Sequence, residues 1–251
     1  MIEQFTHPDD IIELRLNRPP VNALNPELVR DLDQAMGQAL DDGARALVLS
    51  GRPGLFSAGL DIPELLTLDE SGMREFWASF FALLARVARS PIPVVAALTG
   101  HSPAGGTVIA LFCDYRVQAQ GDFQLGLNEV QVGLVVPPVI HQALTRLIGV
   151  YAAERHLVAG QMIPAEDALA IGLVDELAPP DEVVGEALAW CRRHLALPTH
   201  AMEATRHLCR ADLAGLFDDM ANLDTDSFVK GWFAEPTQAT LQTLVARLKK
   251  K

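Results

Sequence analysis

The sequence predicts an α/β fold in which parallel strands are joined by crossover helices, followed by an all-helical C-terminal extension. Three observations carry that expectation. Short β-type runs alternate with helical periodicity through the first two-thirds of the chain. The strand runs are apolar almost throughout, as in a sheet covered on both faces. Strand signals then stop at about Pro179.

The elements follow in order. Residues 11–16 alternate as a strand, and residues 26–40 carry apolar side chains at helical spacing, with Asn25 as N-cap and Pro26 at the first helical position. Residues 46–49 (Ala-Leu-Val-Leu) read as a buried strand, stopped by Ser50-Gly51-Arg52-Pro53-Gly54. A helix is expected over 73–88, a second buried strand over 93–98 and a short helix over 106–113. Beyond Pro179, residues 181–195, 199–211, 213–229 and 237–250 read as successive helices. No internal repeat or low-complexity segment stands out.

At 251 residues, 49% apolar and 21% charged, the chain can bury a core without a cofactor or a covalent staple. The formal net charge of −12 would repel a long phosphate backbone, so nucleic acid is not an expected partner. The one basic cluster, Lys249-Lys250-Lys251, reads as a solvated helix end. Cys113, Cys191 and Cys209 match no zinc or redox spacing and are expected to be core or surface thiols. No histidine pair has ligand spacing, so no metal is expected. The N-terminal Met1-Ile2-Glu3-Gln4 lacks the features of a signal segment and no apolar run is long enough to span a bilayer, so a cytoplasmic location away from membranes is expected.

Chemistry concentrates in three segments. Phe56-Ser57-Ala58-Gly59-Leu60-Asp61 and Thr99-Gly100-His101-Ser102-Pro103-Ala104-Gly105-Gly106 each follow a buried strand, where open α/β sheets put their ligands. Small residues let backbone approach a ligand, and a helix starting near Gly106 leaves first-turn N–H groups unpaired. These loops are either an oxyanion site or a pair of tight turns. The third segment, Gly126-Leu127-Asn128-Glu129-Val130-Gln131-Val132-Gly133-Leu134, sets a carboxylate among apolar neighbours. Glu129 either faces solvent or sits in an apolar pocket, where desolvation would raise its pKa toward the range of a general base.

Two familiar motifs fail on the second loop. It has neither a dinucleotide fingerprint nor a P-loop lysine. Gly100-His101-Ser102-Pro103-Ala104 approaches a nucleophile elbow, yet the residue after the serine must donate a backbone N–H and Pro103 has none.

Taken together, the three segments resemble the crotonase (enoyl-CoA hydratase/isomerase) superfamily. The resemblance runs from Leu16-Asn17-Arg18-Pro19-Pro20-Val21-Asn22-Ala23-Leu24 through FSAGLD (56–61), PAGG (103–106), CDYR (113–116) and GLNE (126–129) to the stretch 165–175. It implies a crotonase-like ββα spiral core over residues 1–197 and a helical region, 198–251, that assembles a homotrimer or a dimer of trimers. It also implies an acyl-CoA thioester as partner, no separate cofactor because CoA is part of the substrate, and oxyanion donors at the N–H groups of Leu60 and Gly105. Ala58, Gly59, Leu60, Asp61, Ile62, Gly105 and Asn128 are implied to bind substrate, and Glu129 to be the catalytic carboxylate.

Hydratases of that family pair two glutamates. Here Val108 stands at the first position and Glu129 at the second, and a valine cannot activate water or carry a proton. Weak hydratase activity at best is therefore expected. The single glutamate most resembles the mitochondrial-type Δ3,Δ2-enoyl-CoA isomerases, in which one carboxylate moves a proton from C2 to C4. The alternatives are another crotonase reaction, decarboxylation or thioester hydrolysis among them, and a non-catalytic acyl-CoA-binding protein. Trp232 and Phe233 are candidates either to border an acyl tunnel or to pack in the core.

Overall fold

The computed structural model describes residues 1–248, so the Lys249-Lys250-Lys251 cluster and the end of the last predicted helix lie outside the described residues. The chain opens with β1 (Ile2–His7), β2 (Ile11–Leu16) and α1 (Pro26–Asp41). Asn25 caps α1, its side chain accepting from Leu28 N–H, and Pro26 follows where no intrahelical donor is needed. Next come β3 (Ala46–Ser50), β4 (Gly54–Leu55), α2 (Ile62–Leu65), α3 (Glu70–Arg89), β5 (Val94–Leu98), β6 (Gly100–Pro103) and α4 (Gly105–Leu111). β7 (Tyr115–Ala119) and β8 (Gln124–Gly126) lead through a 3-10 turn, Glu129–Val132, to α5 (Pro138–Ile148), α6 (Val150–Ala159), β9 (Ile163–Pro164), α7 (Ala165–Ala170) and β10 (Glu176–Ala178). The remainder is helical: α8 (Val183–Leu195), α9 (Thr199–Gly215), α10 (Met220–Leu223), α11 (Thr225–Trp232) and α12 (Glu235–Leu248).

The strands form two sheets. The larger runs β1-β2-β3-β5-β7-β10, parallel except for β1, which pairs antiparallel with β2 in the register Ile2 to Leu16. The smaller runs β4-β6-β8-β9, parallel until β9. Three successive stretches each contribute a strand to the first sheet, a strand to the second and then a helix: β3-β4-α2/α3, β5-β6-α4 and β7-β8-α5. This is the ββα spiral core with a helical C-terminal region. The repeat is one of geometry, carried by dissimilar sequences, which is why no repeat is visible in the residues themselves.

Period-two alternation divides the core between the faces of the large sheet. Leu47, Leu49, Ala96 and Leu98 join the main core against α1, α3 and α4, while Ala46, Val48, Val95 and Ala97 join a second cluster covered by Val183, Ala187 and Cys191 of α8. Both faces are thus dry, matching the unbroken apolar runs. Cys113 and Cys191 are buried thiols and Cys209 is exposed; none forms a disulfide.

Several elements depart from the sequence-based expectation. The second glycine loop contains β6, and β7, β8, α5 and α6 fall where no element is predicted. β1 is missed because its middle residues face solvent at a sheet edge. The predicted helices over 199–211 and 213–229 are corrected: α9 runs on to Gly215, and the remainder breaks into α10 and α11. Asp219 and Asp224 cause the breaks. Their side chains cap Ala221 N–H and Ser227 N–H, and Asp224 adopts φ 40°.

The CDYR segment is a structural fastener. Asp114 accepts from Val94 N–H and from Arg206 in α9, and Arg116 pairs with Asp175 at 2.7 Å while donating to the Ala110 and Cys113 carbonyls. A second fastener is Asn22, fully buried at φ 50°. Its amide donates to the Leu16 and Phe56 carbonyls and accepts from Arg18 N–H, and its own carbonyl accepts from Ser57 Oγ at 2.8 Å. It therefore ties the 17–25 segment to the loop leaving β4. Asn22→Ala, which strands two buried carbonyls and puts alanine in a left-handed conformation, is expected to cost about 3 kcal/mol in urea unfolding.

Candidate active site

The first loop, 56–61, is shaped by hydrogen bonds on one side only. Leu24 N–H donates to Gly59 O at 2.7 Å and Asp61 N–H donates to Leu24 O at 3.0 Å, a parallel bridge that leaves Leu60 N–H directed away from it. Gly59, at φ 85°, makes the turn, and its N–H donates to Ser57 Oγ. Asp61 then caps α2 by accepting from Glu64 N–H, and its carboxylate pairs with Arg18 at 2.7 Å.

The second loop meets the first. Ala104 holds φ 47° and ψ −119°, a conformation costly for any residue with a side chain, and its N–H donates to Gly126 O at 2.8 Å. The strain turns the chain sharply from β6 into α4, so that Gly105 opens the helix. A Cβ at Gly105 would lie 3.6 Å from Gly59 Cα and 2.7 Å from Leu24 Cδ1, and a Cβ at Gly59 would lie 2.9 Å from that of Ala104. Gly59, at positive φ and this close to Ala104, must be glycine, whereas a side chain at Gly105 would press first on the mobile end of Leu24. Among the described residues, neither Leu60 N–H nor Gly105 N–H donates to a protein acceptor.

Leu60 and Gly105 both line a small cavity of about 20 Å³ that also touches Val108 and Glu129. The remainder of its wall is apolar: Leu134, Pro137, Ile140, Trp77, Phe80 and Phe228. Glu129 opens the 3-10 turn and, among the described residues, is the one ionisable side chain lining the cavity. The residue is partly accessible at its outer atoms, yet its Oε2 is sealed from solvent with no hydrogen-bond partner. Burial pushes its pKa up to about 7, with only the residue's own backbone N–H acting against the shift and no cation beside it. Of the two readings left open by the sequence, the apolar pocket holds for the carboxylate. Its walls come from distant elements more than from neighbours in the chain: Val130 is exposed, whereas Leu127 is buried.

The cavity thus joins Leu60, Gly105 and Glu129. The other candidate residues lie around it: Ala58, Gly59, Asp61 and Ile62 along the first loop, with Asp61 engaged as cap and ion-pair partner, and Asn128 in a separate groove against α12 with Gln131 and Thr240. Trp77 and Phe228, absent from the sequence-based candidates, form part of the wall. Trp232 is fully buried and does not line the cavity, nor does Phe233. Ser102 is fully buried beneath α4, where a Cβ on Gly106 would reach within 2.8 Å of its Oγ, so it is not presented as a nucleophile. His101 is exposed, its Nδ1 accepting from Gln124 N–H.

A larger groove of about 540 Å³ adjoins α8 and α9, but its arginines are committed. Arg146 pairs with Asp212, and Arg206 and Arg210 pair with Asp114. It presents no free carboxylate beside free N–H groups, so the chemistry belongs to the smaller cavity.

The sequence matches the Enoyl-CoA hydratase/isomerase family over residues 6–241. It is 34% identical to human Enoyl-CoA delta isomerase 1, mitochondrial, over 95% of this chain and 80% of that one. It is also 36% identical to Probable enoyl-CoA hydratase echA17 of Mycobacterium avium (strain 104), over 77% of this chain and 75% of that one. The crystal structure of human mitochondrial delta3-delta2-enoyl-CoA isomerase superposes with a TM-score of 0.92 at 32% identity, covering 98% of each chain.

Glu129 also couples the site to stability. The native carboxyl keeps its proton up to about pH 7, whereas the unfolded one releases it near its ordinary value of 4.5. Across that window the native state binds the extra proton, so stability falls as pH rises through it. Glu129→Gln should abolish this slope, making the variant more stable than the parent by about 3 kcal/mol near pH 8 and no more stable near pH 4, as read by urea unfolding at the two values.

Proposed function

The chain belongs to the enoyl-CoA hydratase/isomerase family, and from that premise we propose that it is a Δ3,Δ2-enoyl-CoA isomerase of the fatty-acid β-oxidation type. The observation that carries the reading is a lone carboxylate, Glu129, in an otherwise apolar cavity lined also by Val108, Leu60 and Gly105, the last two with backbone N–H groups that meet no acceptor among the described residues.

In this mechanism the thioester oxygen of a 3-enoyl-CoA accepts from Leu60 N–H and Gly105 N–H. Ionised Glu129 takes a proton from C2, and the C2–H electron pair delocalises through the thioester to give a dienolate whose oxygen carries the charge. Each fixed donor is worth about 3–4 kcal/mol to that charge, because the loops are already in position and need no reorganisation. The protonated Glu129 then returns its proton to C4, and the double bond settles between C2 and C3 in conjugation with the carbonyl. No water and no second acid or base is consumed, which suits a site whose other lining side chains are apolar.

Burial serves this cycle directly. A carboxyl with a pKa near 7 is ionised in a useful fraction at neutral pH and, while ionised, is a stronger base than an exposed glutamate. Hydration is a poorer fit, since Val108 can neither activate water nor manage the second proton. The helical region from residue 198 onward is read as the assembly region of a homotrimer; Leu208 of α9 is an exposed apolar side chain there, 75% accessible in the single chain. Sedimentation as a monomer at micromolar concentration would refute that part.

Purified protein is expected to convert 3-cis- or 3-trans-enoyl-CoA to the 2-trans isomer, followed by absorbance of the conjugated thioester. Glu129→Gln should lower kcat by roughly 10²–10⁴-fold with KM changed little; turnover equal to the parent's would remove Glu129 from the mechanism. In the parent, kcat/KM should rise with pH and level off above about pH 7, the profile of a base that must be ionised.

A further inference from the structure

The chemistry at C2 to C4 leaves the length of the acyl tail unspecified, and the walls of the cavity decide it. Beyond Leu60, Gly105 and Glu129, part of the cavity wall is an aromatic cluster of Trp77, Phe80 and Phe228. Trp77 of α3 packs against Phe228 of α11 with ring centroids 4.1 Å apart, and against Phe80 and Phe81 at 5.6 Å and 5.1 Å. Both barrier residues are buried, Trp77 at 3% exposure and Phe228 at 6%. The ring of Trp77 is held by this packing alone, because its Nε1–H has no acceptor. An ion pair between Arg74 and Asp226 ties α3 to α11 outside the barrier.

The cavity encloses about 20 Å³, room for one or two water-sized groups. A close-packed aromatic cluster does not yield to several extra methylenes without displacing a ring. We propose that Trp77, backed by Phe228, is the specificity-determining wall of the acyl pocket and restricts the enzyme to short-chain acyl-CoA thioesters. One element of the spiral core and one of the helical region therefore share the task of measuring the substrate. This inference rests on the acyl-CoA reading of the site, but it does not depend on isomerase turnover.

Binding of saturated acyl-CoAs separates the two. In isothermal titration of the full chain with butyryl-, hexanoyl-, octanoyl- and dodecanoyl-CoA, affinity should stop rising beyond hexanoyl-CoA. A tail that kept burying itself would instead gain about fourfold per methylene. Trp77→Ala should restore a gain of at least tenfold between hexanoyl- and dodecanoyl-CoA, and Trp77→Phe should restore less. Phe228→Ala attacks the same wall from α11 and should act in the same direction, so the outcome does not hinge on one variant folding. Affinity that climbs steadily with length in the parent would overturn the proposal, as would a plateau unchanged in both alanine variants. Failure of every acyl-CoA to bind would refute the acyl-CoA reading itself, whereas the expected plateau, with no turnover of a 3-enoyl-CoA in a separate assay, would refute only the assigned reaction.

Discussion

The parallel bridge between Leu24 and the loop that holds Leu60 is the constraint on which the site depends. Leu24 commits both its N–H and its carbonyl to the peptide groups flanking Leu60, and by doing so obliges the Leu60 N–H to face the other way. Nothing else in the loop could set that direction, since a backbone donor has no rotamer of its own. Asn22 stiffens the same region from beneath through Ser57 and Phe56, and Arg18 does so from the side through Asp61 and Glu64. The second donor depends on a different device, the strained turn at Ala104, and the two loops meet because Gly59 has no side chain to press on Ala104. Preorganisation is thus distributed over hydrogen bonds that a ligand never touches.

Placing Glu129 in the same cavity sets function against stability. An ionised carboxylate buried with no cation to face, and only its own backbone N–H as donor, is a destabilising feature that a protein selected for stability alone would avoid. Here the surrounding spiral, dry on both faces of its large sheet, is broad enough to carry it. The same apolar wall that raises the carboxyl pKa also excludes groups that could divert its proton, so Val108 and the aromatic residues act on the base through what they keep out.

Much of this is legible in the residues. Short motifs that combine glycine with a fixed backbone task, FSAGLD and PAGG, are readable because so few residue types can perform that task, and Asn25-Pro26 announces a helix start for the same reason. The order of β3, α3, β5 and α4 follows from apolar periodicity. What stays hidden is long-range. Nothing in the neighbourhood of Glu129 indicates that its pocket is closed by Trp77 and Phe228, both far from it along the chain, and the apolar Val130 beside it turns outward. β1 is hard to read because an exposed edge strand alternates weakly. The breaks in the helical region are equally hard to place, because Asp219 and Asp224 act as caps while side-chain periodicity runs straight through them.

Asp114 gives the order of the chain a meaning during synthesis. It sits between α4 and β7, yet it is neutralised by Arg206 and Arg210, which leave the ribosome about ninety residues later. Until α9 has emerged, the spiral contains a carboxylate at the edge of its core whose cationic partners do not yet exist, and Val94 N–H is its principal donor. The final closure of this region therefore waits for the tail, and a nascent chain halted before α9 holds a core whose charge balance is incomplete.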